Sequence, residues 1–274
     1  MSAGTDNDRS FAGSIPELYD SFLVPLIFEP YAVDLVSRLA GDPPRRLLEL
    51  ATGTGVVTRR LALELPAVAE IVATDLNPPM LDRAGVIGTT RPVVWRQADA
   101  QHLPFADASC DAVLCQFGVM FFPDKPRAFA EARRVLRPGG RFLFNVWDRL
   151  EENDFAHVVT EALAAVFPND PPTFMARVPH GYHDLAVLRR DLATGGFATE
   201  VTMNTVRASS RAASPRIPAI AFCQGTPLRH EIEARAATRL GAATDAAERA
   251  LARRFGGGTV SGEMRAHVVT AIRC

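Results

Sequence analysis

A glycine-rich loop that follows an apolar run is the strongest chemical signal in this 274-residue sequence. The run at 46–51 (RLLELA) has the character of a buried parallel strand, the loop at 52–55 reads TGTG, and a helical pattern begins at Val56. Small residues permit a tight turn and let the backbone approach a ligand closely, while the helix directs its amide donors to the same place. Because glycine loops after strands are common, the loop alone is equally well explained as turn chemistry.

Two carboxylates stand at the ends of the next two predicted strands. Asp75 ends the second strand, 20 residues after Gly55, where a carboxylate can accept hydrogen bonds from both hydroxyls of a ribose. Asp99 follows the third strand, where a carboxylate can accept from an exocyclic adenine amine. Each aspartate alone is also explained as a helix cap or a turn residue. Three matching features at successive strand ends favour an adenosine-containing ligand.

The elements that must position these residues alternate between strand and helix. This alternation predicts a doubly wound, parallel α/β sheet. Strands are predicted at 46–51, 70–75, 92–96, 112–116, 141–147, 199–207 and 267–272. Helices are predicted at 15–39 (broken at Pro25 and Pro30), 56–65, 78–85, 126–136, 151–167, 185–194, 216–223, 228–240 and 244–254.

Five segments within residues 47–148 resemble, in order and spacing, the class I S-adenosylmethionine (SAM)-dependent methyltransferases, close to the type 11 group that includes the ubiquinone/menaquinone-biosynthesis methyltransferases. They are LLELATGTG, VATDLNPPML, RQADAQHLPF, CDAVLCQFGVMFFPD and RAFAEARRVLRPGGRFLFNVWD. PLIFEPYAVDLVSRL is similar to the lid helices of this group. The resemblance implies a Rossmann-like, seven-stranded sheet, mostly parallel with an antiparallel C-terminal strand, plus a helical lid and cap.

The resemblance also assigns cofactor-binding residues. Asp75 would hold the ribose of SAM, Asp99 would accept from the adenine amine, and Tyr19 would close over the cofactor from the lid. The other implied contacts are Glu49, Ala51, Thr52, Gly53 and Gly55 at the methionine end, Leu76, Met80 and Ala100 around the adenine, and Gln116 and Phe117 beside the sulfonium. Ala51 stands where the family usually has its first glycine, so we expect an altered contact there. The product would be S-adenosylhomocysteine (SAH).

Candidate general bases are few, and a base is needed only if the acceptor must lose a proton. His180, Tyr182 and His183 lie in the segment VPHGYH, in an irregular stretch where this fold places substrate-contacting insertions. The alternative is a surface turn in which Asp184 caps the next helix.

The chain is expected to divide into a disordered tail (1–14), N-terminal lid helices (15–42), the SAM-binding core (43–148), and cap insertions that complete the same domain (149–274). The apolar positions of the last region suit a cap over a hydrophobic acceptor. No segment there identifies one substrate.

Composition limits the function classes. The 30 basic and 31 acidic residues nearly cancel, which argues against a general nucleic-acid binder. No apolar stretch is long enough for a membrane span, and the histidines and four cysteines form no metal or disulfide pattern, so we expect a cytoplasmic protein without a metal. The implied partner is a small-molecule substrate, and a monomer and a homodimer both remain open.

The sequence predicts in-line methyl transfer from SAM to a small, apolar metabolite; the acceptor atom (carbon, oxygen or nitrogen) stays open. One alternative is an NAD(P)-binding Rossmann oxidoreductase. Thr58 argues against it, because the dinucleotide fingerprint wants a small residue at that position. The other alternative is a non-catalytic SAM-binding protein, which would have a sealed acceptor pocket.

Overall fold

The computed structural model describes residues 7–274, and its framework is one sheet of seven strands. The strands are β1 (Arg46–Glu49), β2 (Glu70–Asp75), β3 (Val94–Gln97), β4 (Cys110–Gln116), β5 (Leu136–Trp147), β6 (Val201–Ala212) and β7 (Val260–Ile272). Their spatial order is β3-β2-β1-β4-β5-β7-β6. The first five strands pair in parallel, and β7 is antiparallel to both β5 and β6. This confirms the predicted Rossmann-like sheet with an antiparallel C-terminal strand.

Helices cover both faces of the sheet. They are α1 (Ile15–Leu18), α2 (Glu29–Ser37), α3 (Val56–Glu64), α4 (Pro78–Ile87), α5 (Lys125–Val135), α6 (Asp154–Val166), α7 (Phe174–Arg177), α8 (Leu185–Thr194), α9 (Arg216–Gln224), α10 (Leu228–Arg235) and α11 (Leu240–Phe255). Alternation along β5 shows why both faces are covered. Phe142 and Phe144 enter one buried cluster, Leu143 enters the other, and none of the three is more than 1% exposed.

The region before β1 differs from the prediction at both of the prolines expected to break it, because neither one interrupts the helical path. Pro30 is the second residue of α2, which begins directly after the preceding helical segment. Pro25, the other expected break, lies inside a ten-residue π-helix, Tyr19–Phe28, which joins α1 to α2 without a gap. A widened turn is one of the ways in which a helix accommodates a residue that cannot donate. The lid is therefore one continuous helical unit.

The described part of the predicted disordered tail packs on the protein. Residues 1–6 lie outside the described residues. Asp8 is only 8% exposed and pairs with Arg177, and Phe11 makes edge contacts with Tyr19 and Phe121. Two of these partners, Arg177 and Phe121, lie more than 100 residues away in sequence, which composition alone does not reveal. Between residues 7 and 274, no helix combines the length and the apolar character needed to cross a membrane.

Candidate functional site

A polar pocket of about 750 Å³ lies where β1, β2 and β4 end. Parallel strands direct their carboxyl ends to one edge of the sheet, which is where open α/β sheets bind ligands. Ten of the predicted cofactor residues line this pocket: Tyr19, Ala51, Gly53, Asp75, Leu76, Met80, Asp99, Ala100, Gln116 and Phe117. The structure therefore brings together residues that span almost 100 positions of the sequence.

Backbone amides fix the Asp75 carboxylate at the end of β2. Oδ2 accepts from the Gly53 N–H at 2.8 Å, and Oδ1 accepts from the Asn77 N–H at 2.8 Å. Burial raises the pKa of Asp75, and these two hydrogen bonds oppose the rise. The carboxylate thus ties the glycine loop to β2 and lines the pocket at the same time.

Glu49 and Thr52 support the loop from below and do not line the pocket. The Thr58 hydroxyl donates to Glu49 Oε2 at 2.6 Å and lies 2.6 Å from the Thr52 hydroxyl. Burial raises the pKa of Glu49 to about 7, while its hydrogen bonds from the threonines lower it. These two residues shape the backbone that faces the ligand.

Gly55 also lies outside the pocket lining and serves the turn into α3. It caps this helix with φ of +86°, a conformation that favours glycine. A Cβ there would lie 3.0 Å from the ring of Trp95 and 3.3 Å from the Ala84 side chain. Gly55 therefore permits close packing of α3 against α4 and β3.

Ala51 adopts the backbone conformation that explains a glycine at this position in the family. Its φ is +51°, in the left-handed region that glycine occupies most easily. Its methyl group has room because Gly118 lies opposite: a Cβ on Gly118 would come within 2.5 Å of the Ala51 Cβ. The alanine is thus matched by a glycine 67 residues further along the chain.

Asp99 lies at the other end of the pocket and is 40% exposed at its side chain. Its Oδ1 accepts from the Gln101 N–H at 2.9 Å, so it is also the turn aspartate of the alternative interpretation. Asp99 can hold the turn and also offer an acceptor to the pocket, because a carboxylate has several acceptor sites.

A second, apolar pocket of about 710 Å³ adjoins the first. Both pockets are lined by the same four aromatic residues, Phe11, Tyr19, Phe117 and Phe121, which we name the shared wall. Within the lining of the apolar pocket, the rings of Phe117 and Trp147 stack with their centroids 3.8 Å apart. Two ligands in these pockets would therefore contact the same four aromatic side chains.

Of the three candidate bases, only His180 lines the apolar pocket. It is 4% exposed, and its Nδ1 lies 2.8 Å from the Asp148 carbonyl oxygen. Burial lowers the pKa of His180 to about 4. At neutral pH the ring is therefore uncharged, Nδ1 carries the hydrogen that it donates to Asp148, and Nε2 can only accept.

Tyr182 and His183 lie elsewhere. The Tyr182 hydroxyl donates to Asp191 Oδ2 at 2.9 Å, and the Lys125 ammonium lies 4.7 Å from the centre of its ring. His183 borders a surface depression together with Arg207 and Arg265. Asp184 accepts from the Ala186 N–H and caps α8, as the alternative interpretation proposed. The structure does not bring the three candidates into one site.

Several lining residues were missed by sequence reasoning. Phe11 was assigned to the tail, Asn77 was interpreted only as part of a helix start, and Gly118 followed β4 without a recognised role. A sequence signal existed for Gly118 alone, a small residue directly after the predicted sulfonium contact Phe117. Among residues 7–274, no group of three or more His, Cys, Asp or Glu side chains is placed to hold a metal.

Comparison with known proteins places a methyltransferase domain at residues 48–144. The demethylmenaquinone methyltransferase of Thermus thermophilus is 42% identical over 125 residues, which cover 45% of this chain and 55% of that protein. A ubiquinone/menaquinone-biosynthesis C-methyltransferase of Saccharophagus degradans is 35% identical over 43% of this chain and 47% of that protein. The chain thus spans about half the length of the curated relatives it matches.

Solved structures support the fold. A phosphoethanolamine N-methyltransferase of Haemonchus contortus, in complex with phosphomonomethylethanolamine and SAH, aligns with a TM-score of 0.62. The alignment covers 100% of this chain and 60% of that one at 16% identity, so the likeness concerns the fold alone.

Proposed function

We propose that this chain, which resembles the class I SAM-dependent methyltransferases of the ubiquinone/menaquinone type and carries a methyltransferase domain, transfers a methyl group from SAM to a small, apolar acceptor. The observation that carries the proposal is the pair of adjoining pockets. One has an amide-anchored carboxylate and a glycine loop for a nucleoside, and the other is apolar. The shared wall is where the methyl donor and its acceptor would meet.

The residues of the polar pocket fit SAM. Asp75 offers a fixed carboxylate to a ribose, and Gly53 lines the pocket with a side-chain position that Met80 and Tyr19 border at 3.5 and 3.6 Å. Tyr19, Phe117 and Phe121 present aromatic rings next to this pocket, and ring faces favour a positive charge such as a sulfonium.

SAM supplies an activated methyl group, which an acceptor atom takes in line as the carbon–sulfur bond breaks. The chain's own residues orient the two ligands and exclude water from between them. Well-aligned reactants can gain roughly 7–11 kcal/mol of the barrier in this way. The buried aromatic surroundings of Phe117, Trp147 and Phe28 serve that exclusion.

The acceptor class follows from the apolar pocket and from the curated relatives, two of which are named as methyltransferases of demethylmenaquinone or of ubiquinone/menaquinone biosynthesis. We infer a quinone-type ring as the acceptor. Asn153, Ser210 and Thr226 use their side chains in hydrogen bonds to the protein's backbone, whereas no partner for His180 Nε2 is found among residues 7–274. His180 would accept a hydrogen bond from a ring hydroxyl.

Neither alternative gains support. Thr58, where a dinucleotide fingerprint wants a small residue, is fully buried and bonded to Glu49. A non-catalytic SAM-binding protein predicts a sealed acceptor pocket, and the structure instead has a cavity of about 710 Å³ there.

The test is calorimetry with SAH and with NAD, followed by an assay for methyl transfer from SAM to demethylmenaquinol analogues with short side chains. We expect SAH to bind, NAD not to bind, and one methyl group to appear on the acceptor. Binding of NAD in preference to SAH would refute the assignment. The cytoplasmic location, the absence of nucleic-acid partners and the monomer or homodimer state stay predictions.

A further inference from the structure

Residues 7–14, which consist largely of turns, form a segment that lies against both pockets and that we name the strap. Arg9 lines the polar pocket, and Phe11 lines both pockets as part of the shared wall. The Phe11 ring meets Tyr19 edge-on at 6.0 Å and Phe121 at 5.7 Å between centroids. The set of aromatic side chains that both pockets share is therefore incomplete without the strap.

An arginine that pairs with two carboxylates anchors the first part of the strap to the cap. The Arg177 guanidinium donates to both carboxylate oxygens of Asp8, at 2.8 Å in the case of Oδ1. It also donates to Glu231 at 2.8 Å. Asp8 is 8% exposed, and its carboxylate accepts charge-assisted hydrogen bonds from this guanidinium. Arg177 ends α7, the short helix whose Phe174 and Met175 line the apolar pocket.

Weaker contacts hold the rest of the strap. The Phe11 N–H donates to Asn77 Oδ1 at 3.3 Å, and the backbone N–H of Asn77 in turn donates to Asp75. The Ser10 carbonyl lies 3.2 Å from His230 Nε2, and Arg229 donates to the Ser14 hydroxyl at 2.6 Å. The strap thus joins the ribose end of the polar pocket to the cap over the apolar one.

We propose that Asp8 and Arg177 are positioning residues that hold Phe11 in the shared wall, so that the occupants of the two pockets are released when this ion pair opens. The pair touches neither pocket's contents and acts through Phe11. The release part of the proposal rests on the proposed function, because it takes SAH as the ligand of the polar pocket.

The variants are Asp8→Asn, which keeps the size of the side chain and removes its charge, and Arg177→Gln, which removes the charge and shortens the side chain. A matched control exists in Arg216, which also pairs with two carboxylates, Asp245 and Glu248, but on the outer helices α9 and α11. Arg216→Gln therefore breaks an equivalent pairing without touching the strap. Thermal unfolding of all three variants shows whether each one folds.

The first readout needs no ligand. Hydrogen exchange of the amides in residues 7–14 reports directly on the strap. We expect faster exchange there in Asp8→Asn and in Arg177→Gln, and exchange at the wild-type rate in Arg216→Gln. Unchanged exchange of the strap in folded Asp8→Asn and Arg177→Gln would overturn the proposal.

The second readout is the dissociation rate of SAH by stopped-flow displacement. Loss of a charge-assisted contact predicts a rate about five- to tenfold faster in both strap variants, and no change in the control. A merely structural role would lower the unfolding temperature and leave the dissociation rate unchanged. If the wild-type protein binds no SAH, the proposed function fails, and the exchange result alone decides whether the ion pair holds the strap.

Discussion

At the scale of single residues, the polar pocket is shaped both by contacts to the backbone and by the side chains that line it. Asp75 meets the prospective ligand and also holds the Gly53 amide, and Ala51 keeps a glycine-like backbone because Gly118 lies opposite. For each residue, a substitution with a matched control can separate the contribution to ligand binding from the contribution to stability.

Asp75→Ala should weaken SAH binding about 10–100-fold, because the ribose loses its carboxylate and the loop loses its anchor. Calorimetry measures the loss. Asp111→Ala is the control, because Asp111 also accepts two backbone amides, those of Arg45 and Arg46, but at the opposite end of β1. It should lower the free energy of unfolding and leave SAH affinity unchanged. Unchanged affinity in Asp75→Ala would contradict the cofactor site.

Gly118→Ala should destabilise the protein by about 1–3 kcal/mol, as overpacking does in a tight core. The new Cβ would lie 2.5 Å from the Ala51 Cβ and 2.7 Å from Cys115 Sγ. Adding Ala51→Gly should recover part of the loss, because it removes one of the two clashes. Urea unfolding of both single variants and of the double variant measures this coupling; purely additive effects would show that the two residues do not meet.

His180 gives the protein a dependence of stability on pH. Its pKa is about 4 in the folded state against an ordinary value of 6.5, with burial as the first cause, so the unfolded chain binds this proton more tightly. Above pH 6.5 His180 is neutral in both the folded and the unfolded state, and the free energy of unfolding is not reduced. As the pH drops from 6.5 toward 4, the unfolded chain takes up the proton first, and the free energy of unfolding falls by roughly 3 kcal/mol in total. The charged or titratable groups that act on it are Asp148, Glu151 and His183.

His180→Gln should therefore remove this part of the acid-side slope when the free energy of unfolding is measured between about pH 4.5 and pH 7.5. The control His157→Gln alters a histidine that faces Glu161 on α6 and lies outside both pockets. An acid-side slope that stays the same in His180→Gln would contradict the buried, neutral state of this histidine.

At the scale of elements, the pocket depends on helices that do not touch it. Glu131 of α5 accepts from the Leu103 N–H at 2.7 Å, and Arg134 donates to the carbonyls of Leu103 and Phe105 at 2.9 and 2.8 Å. The loop after β3, which carries Asp99, is therefore held from behind by α5.

Glu131→Ala should weaken SAH binding a few-fold, about 0.5–1 kcal/mol, because the Asp99 loop loses an anchor while every ligand contact remains. Calorimetry at a temperature well below unfolding measures the change. Glu64→Ala, which breaks an ion pair with Arg60 on α3, should have no effect on affinity. Equal affinities in wild type and Glu131→Ala would show that the loop holds its shape alone.

Sequence reasoning succeeded where the chemistry is local. The strand ends, the TGTG loop and Asp75 lie within about 30 consecutive residues, so their spacing reports their geometry. The expected apolar cap from residues 149–274 was also foreseeable, and Phe155, Phe174, Met175 and Phe222 of that region line the apolar pocket. The remainder of the lining could not be assembled from the sequence, because it comes from separate stretches between Phe11 and Met264. The sequence could not distinguish His180 from Tyr182 and His183, because only tertiary contacts assign them to different places. His180 faces the Asp148 carbonyl, Tyr182 bonds to Asp191, and His183 borders a surface depression.

At the scale of the whole molecule, the two pockets share four residues, so their occupants cannot be independent. When one ligand binds, it orders the side chains of the shared wall. The second ligand then binds at a lower cost in conformational entropy. The N-terminal strap, the lid and the region after β4 all contribute to this wall, and the cap closes the apolar side.

We therefore expect positive coupling between SAH and an unreactive quinone-type ligand, about 3–10-fold in each dissociation constant. Calorimetry of each ligand, alone and with the other at saturation, measures it. The two factors must be equal, which gives an internal check. Independent binding would show that the wall is rigid before either ligand arrives.

Lys125 offers a position at which the protein can be labelled beside the polar pocket. It is the only lysine of the sequence, it lies at the first turn of α5, and its ammonium donates to the carbonyl of Phe122, a residue of the polar pocket. Burial lowers the pKa of Lys125, which leaves more of it as the reactive free amine at a given pH. An amine-selective fluorophore thus has one side-chain target, next to the adenine end of the site, and its emission could follow ligand entry without any engineered cysteine.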